Sequence, residues 1–352
     1  MTPQPLARGP LRGALPGRQG GLAMLVAILL VALGTILAAA IAYESAMSAR
    51  RSTATFDFDE ALLVDQGAEA LAAIGLRTTR QLDKTGTIYI TQPWAHPVGP
   101  VEVVPGLTLQ ASLEDLQGRF NLNSLVVSGS GGPGQVPGQV PGQQEPSHAN
   151  PQTVLIFQRL LQFAGIEPKW ADLLVDWIDP DNQPLPDGAE DNAYLSQNPP
   201  YLTANLYITS TTELLALPGF GADRYRKIAP YITALPPTVT QVNICTAAPV
   251  VLDALMAAAG PGPERAEFSL DPDALAKNRA NAAGCFPSQQ DYQAALGPAA
   301  AKVMPFVTTN SHYFRLSSLV TIGTAEFNLY SLLYQDDSGG MVHTVLRSYS
   351  PD

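Results

Sequence analysis

From Leu22 to Ala42 the chain is one unbroken apolar run, LAMLVAILLVALGTILAAAIA, with no charged residue. A helix needs about 20 apolar residues to cross a bilayer, so this run predicts a membrane span. Beyond it the pattern turns amphipathic. AYESAMSARRSTATFDFDEALLVDQGAEALAAIGL keeps apolar residues at helical spacing, and no proline follows until Pro93. One long N-terminal helix is therefore predicted. Its first half is apolar all round, and its second half has an apolar face that can lie on a sheet. Arg50 and Arg51 fall just beyond the outer membrane interface.

Strand patterns follow at TIYITQPW (87–94) and LTLQASLEDLQGRFNLNSL (107–125), where β-branched and aromatic residues sit between turn residues. Residues 127–152 are rich in Gly, Pro and Gln and cannot bury a core, which predicts a disordered linker. Helical spacing returns from 153 to 235. There VLIFQRLLQFAGI and ADLLVDWI are amphipathic, and TTELLALPGFGADRYRKIAPYI reads as two helices around a Pro-Gly turn. VNICTAAPVVLDALMAAAG starts as a strand and becomes a helix with Thr246 as its N-cap. DPDALAKNRA and SQQDYQAALG are helical as well. The tail returns to strands at 311–335 and 341–350, joined by a QDDSGG turn.

This order predicts an α+β protein: a long helix packed on an antiparallel sheet, interrupted by a large helical insertion. The expected divisions are 22–42 for the membrane part, 43–126 for the first part of the α/β domain, 127–152 for the linker, 153–300 for the helical insertion and 301–352 for the closing strands.

Charge and cysteine content narrow the setting. A formal net charge of −11 disfavours nucleic acid, because phosphate contacts demand a basic surface. Arg8, Arg12 and Arg18 precede the apolar run and put the N-terminus in the cytoplasm by the positive-inside rule, leaving residues from 43 onward outside it. Cys245 and Cys285 lie in that exported part, where an oxidising compartment favours a disulfide over two separate buried thiols.

The densest polar cluster is DWIDPDNQPLPDGAEDNAY (176–194), with Asp176, Asp179, Asp181, Asp187, Glu190 and Asp191. No Lys or Arg lies between Lys169 and Arg224 to offset these six carboxylates. Oxygen ligands without His or Cys suit calcium over zinc; the bland alternative is a solvated acidic loop. The spacing superficially fits an EF-hand, with Asp179, Asp181, Gln183, Asp187 and Glu190 at loop positions one, three, five, nine and twelve. Pro184, however, occupies position six, where the turn needs glycine, so EF-hand geometry is rejected in favour of an irregular loop. His148 and His312 are distant in sequence, which disfavours a hydrolytic metal site.

Residues 213–228, ELLALPGFGADRYRKI, look like a helix-hairpin-helix, a motif able to hold phosphate on glycine amides. Arg224, Arg226 and Lys227 add local charge, while the acidic chain argues against DNA. Asn121-Leu-Asn123-Ser124 and Asn243-Ile-Cys245-Thr246 place an asparagine and a hydroxyl at strand-to-helix corners, where side-chain capping explains them. No GxSxG, P-loop, dinucleotide fingerprint or HExxH occurs, and the chain is read as a non-enzyme.

No small-x-small signal-peptidase site follows a short apolar core. A basic leader ending at Gly21, followed directly by the apolar run from Leu22, instead resembles the prepilin peptidase site of type IV pilins and type II secretion pseudopilins. That resemblance implies a leader of residues 1–21, a cut between Gly21 and Leu22, N-methylation and a pilin-like fold. Most of that superfamily carries glutamate at the fifth mature position, and here it is Val26. Together with the stretch Asp-Trp-Ile-Asp-x-Asp, Gly-Ala-Glu-Asp-x-x-Tyr, Pro200-Tyr201 and Asn205, this resembles the K family of type II secretion. Membership would imply a single-pass inner-membrane protein with a periplasmic head, placed at the pseudopilus tip with minor pseudopilins I and J and near other inner-membrane secretion components. It would also imply calcium on Asp179, Asp181, Glu190 and Asp191, with Asp187 and a backbone carbonyl as further candidates. A membrane-anchored DNA receptor using 213–228 and a calcium-dependent periplasmic enzyme are the alternative readings.

Overall fold

A computed structural model describes residues 20–127, 148–260, 271–336 and 340–350. The chain divides into two units, Met1–Glu60 and Ala61–Asp352. Most of the 1–21 leader and residues 128–147 of the expected linker lie outside the described residues.

Helix α1 spans Gly20–Leu82. In the first unit its residues from Leu22 to Ile41 are exposed apolar side chains on a helix long and apolar enough to cross a membrane. In the second unit the same helix buries Ala61, Ala68, Ala72 and Leu76 in a cluster with Leu109, Phe314, Leu316, Val320 and Leu333. Small residues on that face let the helix backbone lie close to the sheet. Two carboxylates one turn apart fix its register. Ser318 donates to Asp65 at 2.6 Å. Arg347 donates to both oxygens of Glu69 at 2.7 Å, and Ser331 adds a bond of 2.5 Å. Burial alone would raise the pKa of Glu69, but the Arg347 and Ser331 bonds outweigh it and hold the carboxyl below its ordinary range.

The sheet is antiparallel: β1 (Val98–Val104), β2 (Leu107–Asp115), β9 (Tyr313–Ile322), β10 (Ala325–Gln335) and β11 (Val342–Ser348), in the order β1-β2-β9-β10-β11. β9 alternates buried and half-buried positions, with Phe314, Leu316 and Val320 inward. Residues 87–94 are not the expected strand. Gln92 Oε1 accepts from Tyr89 N–H and Trp94 Nε1–H, its Nε2 donates to the Thr87 carbonyl, and a 3₁₀ turn at Pro93–Ala95 follows. β1, which carries Gly99-Pro100, was unexpected. As an irregular edge strand it tolerates the proline that a central strand would exclude.

Between β2 and β9 lies the helical block. After β3 (Phe120–Asn121) and β4 (Val126–Val127) come β5 (His148–Ala149), α2 (Pro151–Phe163), α3 (Trp170–Ile178) and α4 (Asp191–Leu195). Then follow α5 (Gly221–Ile228), β6 (Ile232–Thr233), β7 (Val242–Asn243) and α6 (Pro249–Leu255). The block closes with α7 (Pro272–Asn281), α8 (Gln289–Leu296), α9 (Ala300–Val303) and β8 (Val307–Thr308).

Its core takes in Phe120, Leu122, Leu125 and Val126 at one end and Phe306 and Val307 at the other. The block is therefore wider than 153–300. The first half of 213–228 is a 3₁₀ helix, Thr211–Ala216, with a Ser210–Glu213 capping box. Two parallel pairs, β3 with β6 and β7 with β8, knit its edges. At the ends of the expected 127–152 linker, Val127 pairs with His148 and α2 starts at Pro151.

The asparagine motifs do more than cap helices. Asn121 Nδ2 donates to Pro236 and Val239 carbonyls, while Asn123 Nδ2 donates to those of Ile208 and Leu235. Thr246 is not the N-cap of α6; Ala248 is, without a side-chain bond. The Thr246 hydroxyl instead donates to buried Asp115 at 2.6 Å.

Candidate metal centre

The acidic loop joins the C-terminus of α3 to the start of α4. Asp176 lies in the last turn of α3, and Asp179, three residues on, is the C-cap of that helix. They also lie at the negative end of the helix dipole, which raises the cost of their charge. Glu190 is the N-cap of α4, yet its side chain makes no cap bond. One oxygen from each of Asp176, Asp179 and Glu190 falls within 4.8 Å of the others, and all three residues are buried.

Hydrogen bonding satisfies only part of this cluster. Asp176 accepts from Leu185 N–H at 3.1 Å. Asp179 Oδ1 and both oxygens of Glu190 are buried and make no hydrogen bond. Tyr194 Oη and Asn205 Oδ1 are likewise buried and unbonded. Asn205 takes a left-handed φ of 47° and donates its N–H to the Trp177 carbonyl at 3.0 Å, which brings this segment to the end of α3. Buried polar atoms without partners are rare and costly, and five in one region call for an occupant.

Electrostatics points the same way. Burial first, then repulsion from neighbouring carboxylates, pushes Asp179 and Glu190 each up to about 7 and Asp176 up to about 6. The Asp181 charge bears on all three. A donor set made only of oxygens, acidic and partly desolvated, fits a hard divalent cation.

The structure separates the expected ligands. Asp179 and Glu190 are in the cluster. Asp181 lies beside it and accepts from Gln183 N–H at 2.8 Å. Asp191 accepts from Thr203 N–H and its hydroxyl, at 3.1 and 2.5 Å. Asp187 is exposed and joined to Asp172 through its N–H, at 3.4 Å. Asp176 belongs to the cluster although the sequence reading left it off the ligand set; its i, i+3 relation to Asp179 was the available signal.

Gly188 is a second residue that sequence reasoning missed. A Cβ there would collide with Asp176 Oδ2. Gly188→Ala is expected to displace Asp176 and cost about 1–3 kcal/mol, read as a lower thermal midpoint than wild type.

An aromatic frame backs the site. Trp177, Tyr194 and Tyr201 pack with ring centroids 5.3–6.4 Å apart. Elsewhere, Cys245 and Cys285 form a disulfide with Cα atoms 4.8 Å apart. In the hairpin at 213–228, Arg224 is engaged by Glu167, the Gly219 and Phe220 carbonyls and the Trp170 ring, and Arg226 pairs with Asp223. Two of its three cations are thus engaged within the chain.

A helix segment packed on an antiparallel sheet, with a helical insertion bearing a buried acidic cluster, defines a pilin-like head enlarged by an insertion. Residues 118–237 match the family described as type II secretion system (T2SS), protein K. Type II secretion system protein K of Klebsiella pneumoniae is 34% identical over 341 residues, covering 94% of this chain and 97% of the relative. The Pseudomonas aeruginosa protein K is 31% identical, covering 91% and 90%. A crystal structure of the GspK-GspI-GspJ complex from the enterotoxigenic Escherichia coli type 2 secretion system contains a chain of the same fold. Its TM-score is 0.66 at 23% identity, over 85% of this chain and 98% of that one. The chain belongs to the type II secretion system protein K family and is a minor pseudopilin.

Proposed function

We propose that the chain caps the tip of a periplasmic pseudopilus together with minor pseudopilins I and J, and that a calcium ion orders its helical head. The residue that carries the tip reading is Val26. A filament subunit would use a carboxylate there to meet the amine of a neighbour, and an apolar residue offers none. The wide helical block on the head is bulk that stacked subunits would have to accommodate. Calcium would be held by Asp176, Asp179 and Glu190, with Asn205 and Tyr194 oxygens at hand. Its role is structural: the ion neutralises charge that the fold buries, so binding energy becomes folding energy. Anchoring is by α1 in the inner membrane, with the head in the periplasm. Processing is by prepilin peptidase between Gly21 and Leu22, followed by N-methylation.

The test is the N-terminal mass of the protein taken from its native membrane, followed by co-purification with I and J. A chain beginning at methylated Leu22 that retains both partners is the expected result. A retained leader, or a cut after Ala42, would overturn the pseudopilus assignment of this N-terminus.

A further inference from the structure

Arg279 is a cation in a buried place, 6% exposed, on the last turn of α7. Burial pulls its pKa from 12.5 to about 10, so it stays charged at neutral pH. Its Nη2 donates to the Ile244 carbonyl at 2.6 Å and its Nε to the Phe286 carbonyl at 2.9 Å. Both acceptors are main-chain carbonyls, and each belongs to the residue next to a half-cystine. One planar guanidinium therefore ties the strand end carrying Cys245 to the loop carrying Cys285. A fork of fixed geometry suits this task, since two carbonyls bound to it cannot drift independently.

The two sides are fixed differently. Cys245 is set by its own segment: its N–H donates to Asn243 Oδ1 at 3.0 Å, Ile244 N–H donates to Thr308, and Asn243 Nδ2 reaches Ile88 and Asp115. Cys285 lies 40 residues on, in a short loop between α7 and α8, and is half-buried. Arg279 is six residues before it and reaches across to Ile244. We propose that Arg279 is the positioning residue for the Cys245–Cys285 disulfide: it docks the 282–288 loop on the strand end before the bond forms and keeps it there when the bond is reduced. The disulfide then locks an arrangement that already exists.

The covalent step is ordinary exchange with a small disulfide such as oxidised glutathione. One cysteine thiolate attacks a glutathione sulfur and releases one glutathione thiolate. The second cysteine thiolate then attacks the protein sulfur of the mixed disulfide and releases the other glutathione thiolate. The protein dithiol is oxidised by two electrons and one glutathione disulfide is reduced to two thiols. The first attack is bimolecular and indifferent to Arg279. The second depends on how often the two cysteines meet, and that is what Arg279 sets.

The full-length protein in detergent is reduced, then equilibrated in glutathione buffers of graded ratio. Acid quench, alkylation and mass spectrometry give the effective concentration of the cysteine pair. Arg279→Met is expected to lower that concentration by about tenfold or more, since hydrogen bonds to a charged group are lost at both carbonyls; Arg279→Lys should restore part of it. An effective concentration equal to wild type in the Met variant overturns the proposal. Amide exchange on the Cys245→Ala, Cys285→Ala double variant keeps the proposal testable if Arg279→Met does not fold. Peptides over 279–288 should stay protected there. Free exchange at those peptides would mean that the disulfide itself does the docking, and the proposal would be wrong.

Discussion

Adding calcium to the chelator-stripped protein at pH 7 is expected to raise its melting temperature by about 5–10 °C. A ligand at a hundredfold excess over Kd stabilises the folded state by about 2.7 kcal/mol, and a domain of this size moves about 2–4 °C per kcal/mol. The sign with pH follows from the carboxyl groups. Asp179 and Glu190 rise from 3.8 and 4.5 to about 7 on folding, and Asp176 from 3.8 to about 6. The stripped folded protein therefore holds more protons than the unfolded chain between pH ~4 and ~7, and linkage makes its stability fall as pH rises through that window. Calcium competes with those protons. Its stabilisation should be largest near pH 7–8 and nearly gone by pH ~4. Asp179→Asn separates the two effects. It removes one buried repelling charge, so the stripped variant should melt no lower than stripped wild type at pH 7, and calcium should no longer shift it. A wild-type melting curve unmoved by calcium at pH 7.5, with the fold intact by circular dichroism, would sink the calcium assignment.

How far the sequence displayed this site depends on the kind of information each residue carries. The apolar run from Leu22 was plain because every position in a membrane helix repeats the same instruction. The strand character of 311–335 was plain, but its division into β9 and β10 by a turn at Gly323-Thr324 was not. β1 was hidden because Gly99-Pro100 reads as a turn, and only an edge position next to β2 makes that dipeptide acceptable. Within the acidic stretch, composition gave the chemistry but not the partners. Read linearly, Asp181, Asp187 and Asp191 look equivalent to Asp179. In the fold, one oxygen of Asp181 accepts from Gln183 N–H, one of Asp191 accepts from Thr203, and Asp187 is exposed. Asp176 stood in the acidic stretch but outside the expected ligand set, although its position three residues before the C-cap Asp179 puts it alongside. The two-residue parallel pairs were illegible. They owe their position to side-chain bonds from Asn121 and Asn243 to residues more than a hundred positions away.

Those same bonds make Asn243 the residue whose loss should cost the fold most. Asn243 is fully buried where β7, the end of β2 and the start of β9 converge. Its Nδ2 faces the Ile88 carbonyl at 3.0 Å, Asp115 Oδ2 at 2.9 Å and Ser311 Oγ at 2.9 Å. Its Oδ1 accepts from Cys245 N–H. Asp115 is itself enclosed. Burial pushes its pKa up, and Thr246, Ser311, the Gln117 N–H and Asn243 pull against that. Asn243→Ala would take a donor from this buried carboxylate, orphan a buried N–H and carbonyl, and leave a cavity. Removing one partner from such a network costs about 3–5 kcal/mol, and urea unfolding should show a lower midpoint at an unchanged slope. Asn243→Asp keeps the volume and therefore isolates the polar effect. It replaces the donor to Asp115 by a second carboxylate, so one of the two must be protonated at neutral pH. Its loss should match or exceed that of the alanine variant at pH 7 and shrink at pH 5, where a shared proton becomes easier to hold. Equal, small losses of under about 1 kcal/mol for both variants would mean that packing alone joins the sheet to the helical block.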